Sequence, residues 1–178
     1  MATHASRNTT TGLVFEKNTP INQIFKDLVD DGAIMFANTP KMAEETGMLY
    51  WREYVNNLSG LTFVGTGNGK HPTIWHKNYI PDGAIIYNNV LYIIEKKYQQ
   101  CSGSADEKLT YGEFRRTRFE KLAEYFPIEI KDVKYLYILG EWFKEEHYMD
   151  VIEHERKDHP KVEFMFCDEN PPYDFFKE

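Results

Sequence analysis

Three side chains in one short stretch have the types and spacing for metal-assisted chemistry: Asp82 and Glu95 to hold a hard divalent cation, and Lys97 to stand beside them. Asn88-Asn89 lies between two apolar runs, and asparagine tolerates positive φ, so the pair suits a two-residue type I′ turn. Such a turn pairs Tyr87 with Val90, Ile86 with Leu91, Ile85 with Tyr92 and Ala84 with Ile93. Two steps further, Asp82 falls opposite Glu95, and strand alternation puts Lys97 on the face of Glu95. Directly opposed side chains have Cβ atoms about 4.5–5.5 Å apart, so two carboxylates there repel. The rest of that face is apolar: Ala84, Ile86, Leu91 and Ile93. Mg²⁺, which favours carboxylate oxygens with water completing its shell, removes the repulsion. The alternative is a strand that frays before Asp82, leaving both acids solvated.

The elements that must position these residues follow from pattern. Leu13–Asp31 reads as helical, interrupted near Pro20, and Pro40–Leu58 as a second helix with Met42, Leu49, Tyr50 and Val55 near one face. A strand at Leu61–Val64 leads into Gly65-Thr-Gly-Asn-Gly69, which lacks the dinucleotide-binding spacing and suits a turn or a loop that approaches a ligand. Ser104-Ala-Asp-Glu107 matches a capping box, which makes Asp106, Glu107 and Lys108 helix-end scaffolding; the helix runs to about Tyr125. Val133–Leu139 and Val162–Phe166 read as strands around a helix at Trp142–Glu155. The expected architecture is a single α/β domain, a central mixed sheet flanked by helices.

Composition narrows the classes. The 178 residues carry a net charge of −7, but residues 141–178 hold 12 acids and 5 basic residues, which sum to −7 by themselves. The other 140 residues are neutral overall, and Lys108–Lys121 sums to +3, so a nucleic-acid partner is not excluded. No apolar run approaches the length of a membrane span, and the N-terminus does not read as a signal peptide. Cys101 and Cys167 have no metal-like spacing, which suits free thiols in a reducing cytoplasm.

Pro81-Asp82, twelve residues, then Glu95-Lys96-Lys97 resembles the signature of the PD-(D/E)xK nucleases, and Gln99 extends it to ExKxQ. Gly12-Leu-Val-Phe-Glu16 and Ile93–Leu109 are similar to stretches of type II restriction endonucleases. The resemblance covers roughly residues 12–16 and 61–140; it leaves the insert around 38–60 and the acidic part after 140 unassigned. It implies an αβββαβ core and a Mg²⁺-dependent endonuclease, with Mn²⁺ able to substitute. Asp82, Glu95 and the backbone carbonyl of Lys96 would hold the metal, and Lys97 would position a water. Glu16 would border the metal or simply suit a helix N-terminus. Gln99 would orient a water or phosphate, or be an ordinary strand residue.

Lys70, Lys77, Arg115, Arg116 and Arg118 are candidate contacts to DNA phosphates, each equally readable as a solvated charge. The leading expectation is a sequence-specific restriction-type enzyme on double-stranded DNA, acting as a homodimer. A repair, junction or mobile-element nuclease of the same fold, or a catalytically silent DNA-binding module, are the alternatives.

Overall fold

The computed structural model describes residues 14–15, 18–60, 63–66, 69–72, 80–99 and 105–177; for 63–66, 69–72, 105 and 106 it describes the backbone alone. Sheet geometry is set at the Asn88-Asn89 turn, where both residues take positive φ, 51° and 65°. They join β5 (Gly83–Tyr87) to β6 (Val90–Lys97) in the expected antiparallel register, from Tyr87↔Val90 to Gly83↔Ile94. β7 (Asp132–Leu139) lies parallel to β6, and β8 (Val162–Phe166) parallel to β7. On the far side of β5, β1 (Ile34–Ala37) pairs antiparallel, and the two-residue β2 (Leu49–Tyr50) closes the edge parallel to β1. The result is a six-stranded mixed sheet of order β2-β1-β5-β6-β7-β8.

Helices cover both faces, which explains why β6 and β7 read as almost unbroken apolar runs. Leu91 and Ile93 of β6 pack with Ala84 and Ile86 under α4 (Trp51–Asn56), α6 (Gly112–Ala123) and α7 (Glu146–Asp158). The alternate residues Val90, Tyr92 and Ile94 face Ile21, Phe25 and Leu28 from the N-terminal turns α1 (Ile21–Ile24) and α2 (Lys26–Asp30), together with Phe176. Among the described residues no helix is long and apolar enough to cross a membrane.

Several expectations need correction. Of the strand expected at Leu61–Val64, Leu61 and Thr62 lie outside the described residues; among the described residues β3 (Phe63–Thr66) pairs with β4 (Gly69–Pro72) as a separate hairpin and not with the main sheet. The sheet's place is taken by β1, an apolar run of four residues whose periodicity is too short to distinguish strand from helix. The helix expected over Pro40–Leu58 is broken. Gly47, in the left-handed region at φ 74°, ends α3 (Pro40–Thr46), β2 follows, and α4 then begins. The 38–60 segment still belongs to the core, because Trp51 meets Phe36 and Phe119 at ring-centroid distances of 5.4 and 5.9 Å. The helix after Ser104 is likewise two pieces, α5 (Ala105–Leu109) and α6, and its expected cap lies outside the described residues. A 3₁₀ turn (Glu141–Lys144) precedes α7.

The turn controls the register, and through it the placement of Glu95. Valine at position 88 must adopt a left-handed backbone, so Asn88→Val lowers stability by about 1–2 kcal/mol, whereas Asn88→Gly stays within about 0.5 kcal/mol of the parent. Urea unfolding of the two variants checks this.

Candidate active site

β6 leaves the core at its C-terminal end, where burial gives way to the half-buried Glu95 and Lys97. Alternation sends the intervening Lys96 to the opposite layer, as expected. It is 6% exposed and its Nζ donates to the carbonyl of Thr19. The β5–β6 ladder stops at Gly83↔Ile94, one pair short of Asp82 and Glu95. Asp82 is nevertheless held at the site, because its Oδ2 accepts the Lys96 main-chain N–H at 2.7 Å. The next residue must be glycine for α1 to pack there: a Cβ at Gly83 would stand 1.8 Å from Ile21 Cδ1.

Glu95 is the centre of a polar cluster. Its Oε1 accepts from Lys97 Nζ and, at 2.7 Å, from Arg115 Nη1; the Tyr135 hydroxyl lies 3.4 Å from Oε2. Arg115 Nη1 also reaches the Tyr135 oxygen, at 3.4 Å. Burial pushes the Tyr135 phenol well above its ordinary range, and the Glu95 charge pushes it further, so it stays a neutral donor. Burial works against the Arg115 charge, but Tyr135 and Glu95 outweigh it and hold the guanidinium above its ordinary range. Arg115 reaches the site because α6 starts unusually close to the sheet. A Cβ at Gly112 would lie 2.7 Å from Val162 Cγ1 and 3.0 Å from Tyr137 Cε2.

The formal charges of Asp82, Glu95, Lys97 and Arg115 cancel. The repulsion expected between the two acids is therefore met within the protein, by two cations at Glu95 and a backbone amide at Asp82. Among the described residues no group of three or more His, Cys, Asp or Glu gathers at this or any other point. Asp82 on the Lys96 amide and Glu95 next to Lys96 in the chain are hard oxygen ligands of the kind Mg²⁺ takes when water completes its shell.

The remaining candidates separate. Arg115 lies at the site itself, in a role its spacing in the sequence did not reveal, and Tyr135 was missed altogether. Both reach Glu95 from a distance in sequence of 20 and 40 residues, which no local pattern encodes. Arg116 does not offer its charge to a ligand. It is 6% exposed, forms a bidentate pair with Glu113 at 2.8 Å, and donates to Glu120 and to the Val133 carbonyl at 3.0 and 3.1 Å. It therefore fixes α6 to β7. Arg118 stays half-buried at the surface of α6, with its guanidinium 4.7 Å from the centroid of the exposed Phe114 ring. Gln99 lies beyond the end of β6 and lines a cavity there. Glu107 and Lys108 are exposed at the end of α5, and the Lys108 carbonyl accepts the Tyr137 hydroxyl at 2.9 Å, as helix-end scaffolding would. Glu16, Lys77 and the side chain of Lys70 lie outside the described residues.

Comparison of the chain with family models, with curated proteins and with solved structures returned no match.

Arg116→Met strands Glu113 and frees α6, so it lowers stability by about 2 kcal/mol or more. The Arg116 hydrogen bonds hold the Glu113 carboxyl below its ordinary range. That contribution is present above the unfolded-state value of about 4.3 and fades as pH falls through the lowered folded value. The difference between parent and variant in denaturant melts therefore shrinks on acidification.

Proposed function

We propose that the chain is a Mg²⁺-dependent endodeoxyribonuclease of the PD-(D/E)xK kind, a sequence-specific restriction-type enzyme acting on double-stranded DNA. One observation carries the reading: Glu95 and Lys97 emerge together from a buried strand, beside Asp82 on the Lys96 amide. Support comes also from the main sheet, where β1, β5 and β6 are antiparallel neighbours and α5, α6 and parallel β7 follow β6, an arrangement compatible with the αβββαβ core that the motif resembles if the segment between β1 and β5 is an insert.

In this reading Asp82, Glu95 and the Lys96 carbonyl hold Mg²⁺ or Mn²⁺, which when bound polarises the scissile phosphate and acidifies a water. Lys97 orients that water and offsets the charge that grows on the phosphoryl oxygens. Arg115 neutralises Glu95 while DNA is absent and offers a planar fork to a phosphate when DNA arrives. The Tyr135 hydroxyl keeps the Glu95 carboxylate turned toward the site. Exposed Tyr111, just before α6, exposed Phe114 and half-buried Arg118 follow one another at helical spacing beside Arg115, a surface suited to the DNA backbone. One such centre per chain cuts one strand, so cleavage of a duplex calls for a symmetric homodimer.

Purified protein incubated with supercoiled plasmid and Mg²⁺ yields discrete fragments. EDTA abolishes them, Glu95→Ala abolishes them, and Lys97→Ala slows their formation about 100-fold or more. DNA that is bound but uncut under every condition would overturn the enzymatic reading.

A further inference from the structure

The parallel strands β6, β7 and β8 end at a common edge, the position where open α/β sheets accept ligands. Beyond it lies a cavity of about 670 Å³ lined by Phe15, Tyr98, Gln99, Glu141, Trp142 and Cys167. Its floor is tied to the candidate catalytic strand. The Gly140 N–H donates to the Lys97 carbonyl at 2.9 Å, and the Cys167 N–H to the Leu139 carbonyl at 2.9 Å. Gln99 follows Lys97 by two residues, roughly 7 Å of extended chain.

The lining chemistry restricts the occupant. Tyr98 stacks on Phe15 with ring centroids 5.0 Å apart and an interplanar angle of 29°. The Trp142 indole is oriented by its Nε1 donating to the Tyr148 hydroxyl at 3.3 Å. Burial raises the Cys167 thiol, which is therefore neutral and no nucleophile. The described lining residues are rich in aromatic rings and carry no lysine or arginine. Flat ring faces bordered by an amide and a carboxylate suit a planar, uncharged heterocycle with a hydrogen-bonding edge. A carboxylate accepts from an exocyclic amino group, and an amide pairs with a donor–acceptor edge.

We propose that this cavity takes one unstacked nucleobase bearing an exocyclic amino group, adjacent to the phosphate handled at Glu95 and Lys97. The inference rests on the nuclease reading, and it adds that the substrate nucleotide beside the cut leaves the stack, as bases do when an enzyme must read them from outside the duplex.

The test is photocrosslinking of the full chain, in Ca²⁺, to random-sequence duplex DNA in which each base in turn is replaced by a photoreactive analogue. The same analogues as free deoxynucleoside monophosphates form the second arm. Crosslinks to Tyr98 or Trp142 from adenine or cytosine analogues in DNA are expected. Gln99→Ala should lower their yield per DNA bound about fivefold or more. Trp142→Phe, which keeps a ring in the core, should retain them. Crosslinking by the free monophosphates, with none from DNA, would overturn the unstacked-base assignment and make a mononucleotide the occupant. Crosslinks confined to α6, with cleavage intact, would overturn the cavity assignment and leave the nuclease reading standing. Absence of both DNA binding and cleavage would overturn both.

Discussion

β6 is bonded on one side to an antiparallel partner and on the other to a parallel one, and it is covered above and below. In such a position every backbone polar group must be paired within the sheet, so the strand cannot slide or twist locally without losing hydrogen bonds in a dry environment. Its side chains then alternate without exception between two apolar layers. Where the strand reaches the surface, that alternation decides which residues meet: Glu95 and Lys97 on one side, Lys96 on the other. Asp82 is captured because the neighbouring strand starts there and the Lys96 amide needs an acceptor.

The charges at this strand end reach balance in an instructive way. A half-buried carboxylate is costly unless hydrogen-bonded and paired, and Glu95 has Lys97, Arg115 and the Tyr135 hydroxyl around it. Arg115 depends in turn on α6 lying close to the sheet, which Gly112 permits and the buried Arg116 network locks. Elements far apart in the chain thus converge on one carboxylate. A divalent cation would enter a centre already neutral, and it would have to compete with Arg115 for the Glu95 oxygen.

The local features of this arrangement were legible in the sequence. Asn88-Asn89 specifies its turn by backbone preference alone, and the register of β5 on β6, with the face shared by Glu95 and Lys97, follows by counting. β8 was legible for a similar reason, as a short apolar run with clear boundaries. What escaped were features decided by tertiary contact. Ile34–Ala37 becomes a strand because β5 offers it an edge, and Pro40–Leu58 divides because Gly47 takes the left-handed backbone that ends a helix. Arg115 and Arg116 are adjacent and chemically identical, yet one faces Glu95 and the other is buried against β7, a distinction set by helix rotation.

Direct titration with Mn²⁺, followed by electron paramagnetic resonance, tests the proposed divalent-cation site at Asp82 and Glu95 without any assumption about substrate. One ion bound per chain, displaced by Mg²⁺ and lost in Asp82→Asn with an unchanged melting transition, is the predicted result. No bound ion at millimolar Mn²⁺, or binding that Asp82→Asn leaves intact, would contradict it and leave Lys97 and Arg115 as the only counterions Glu95 requires.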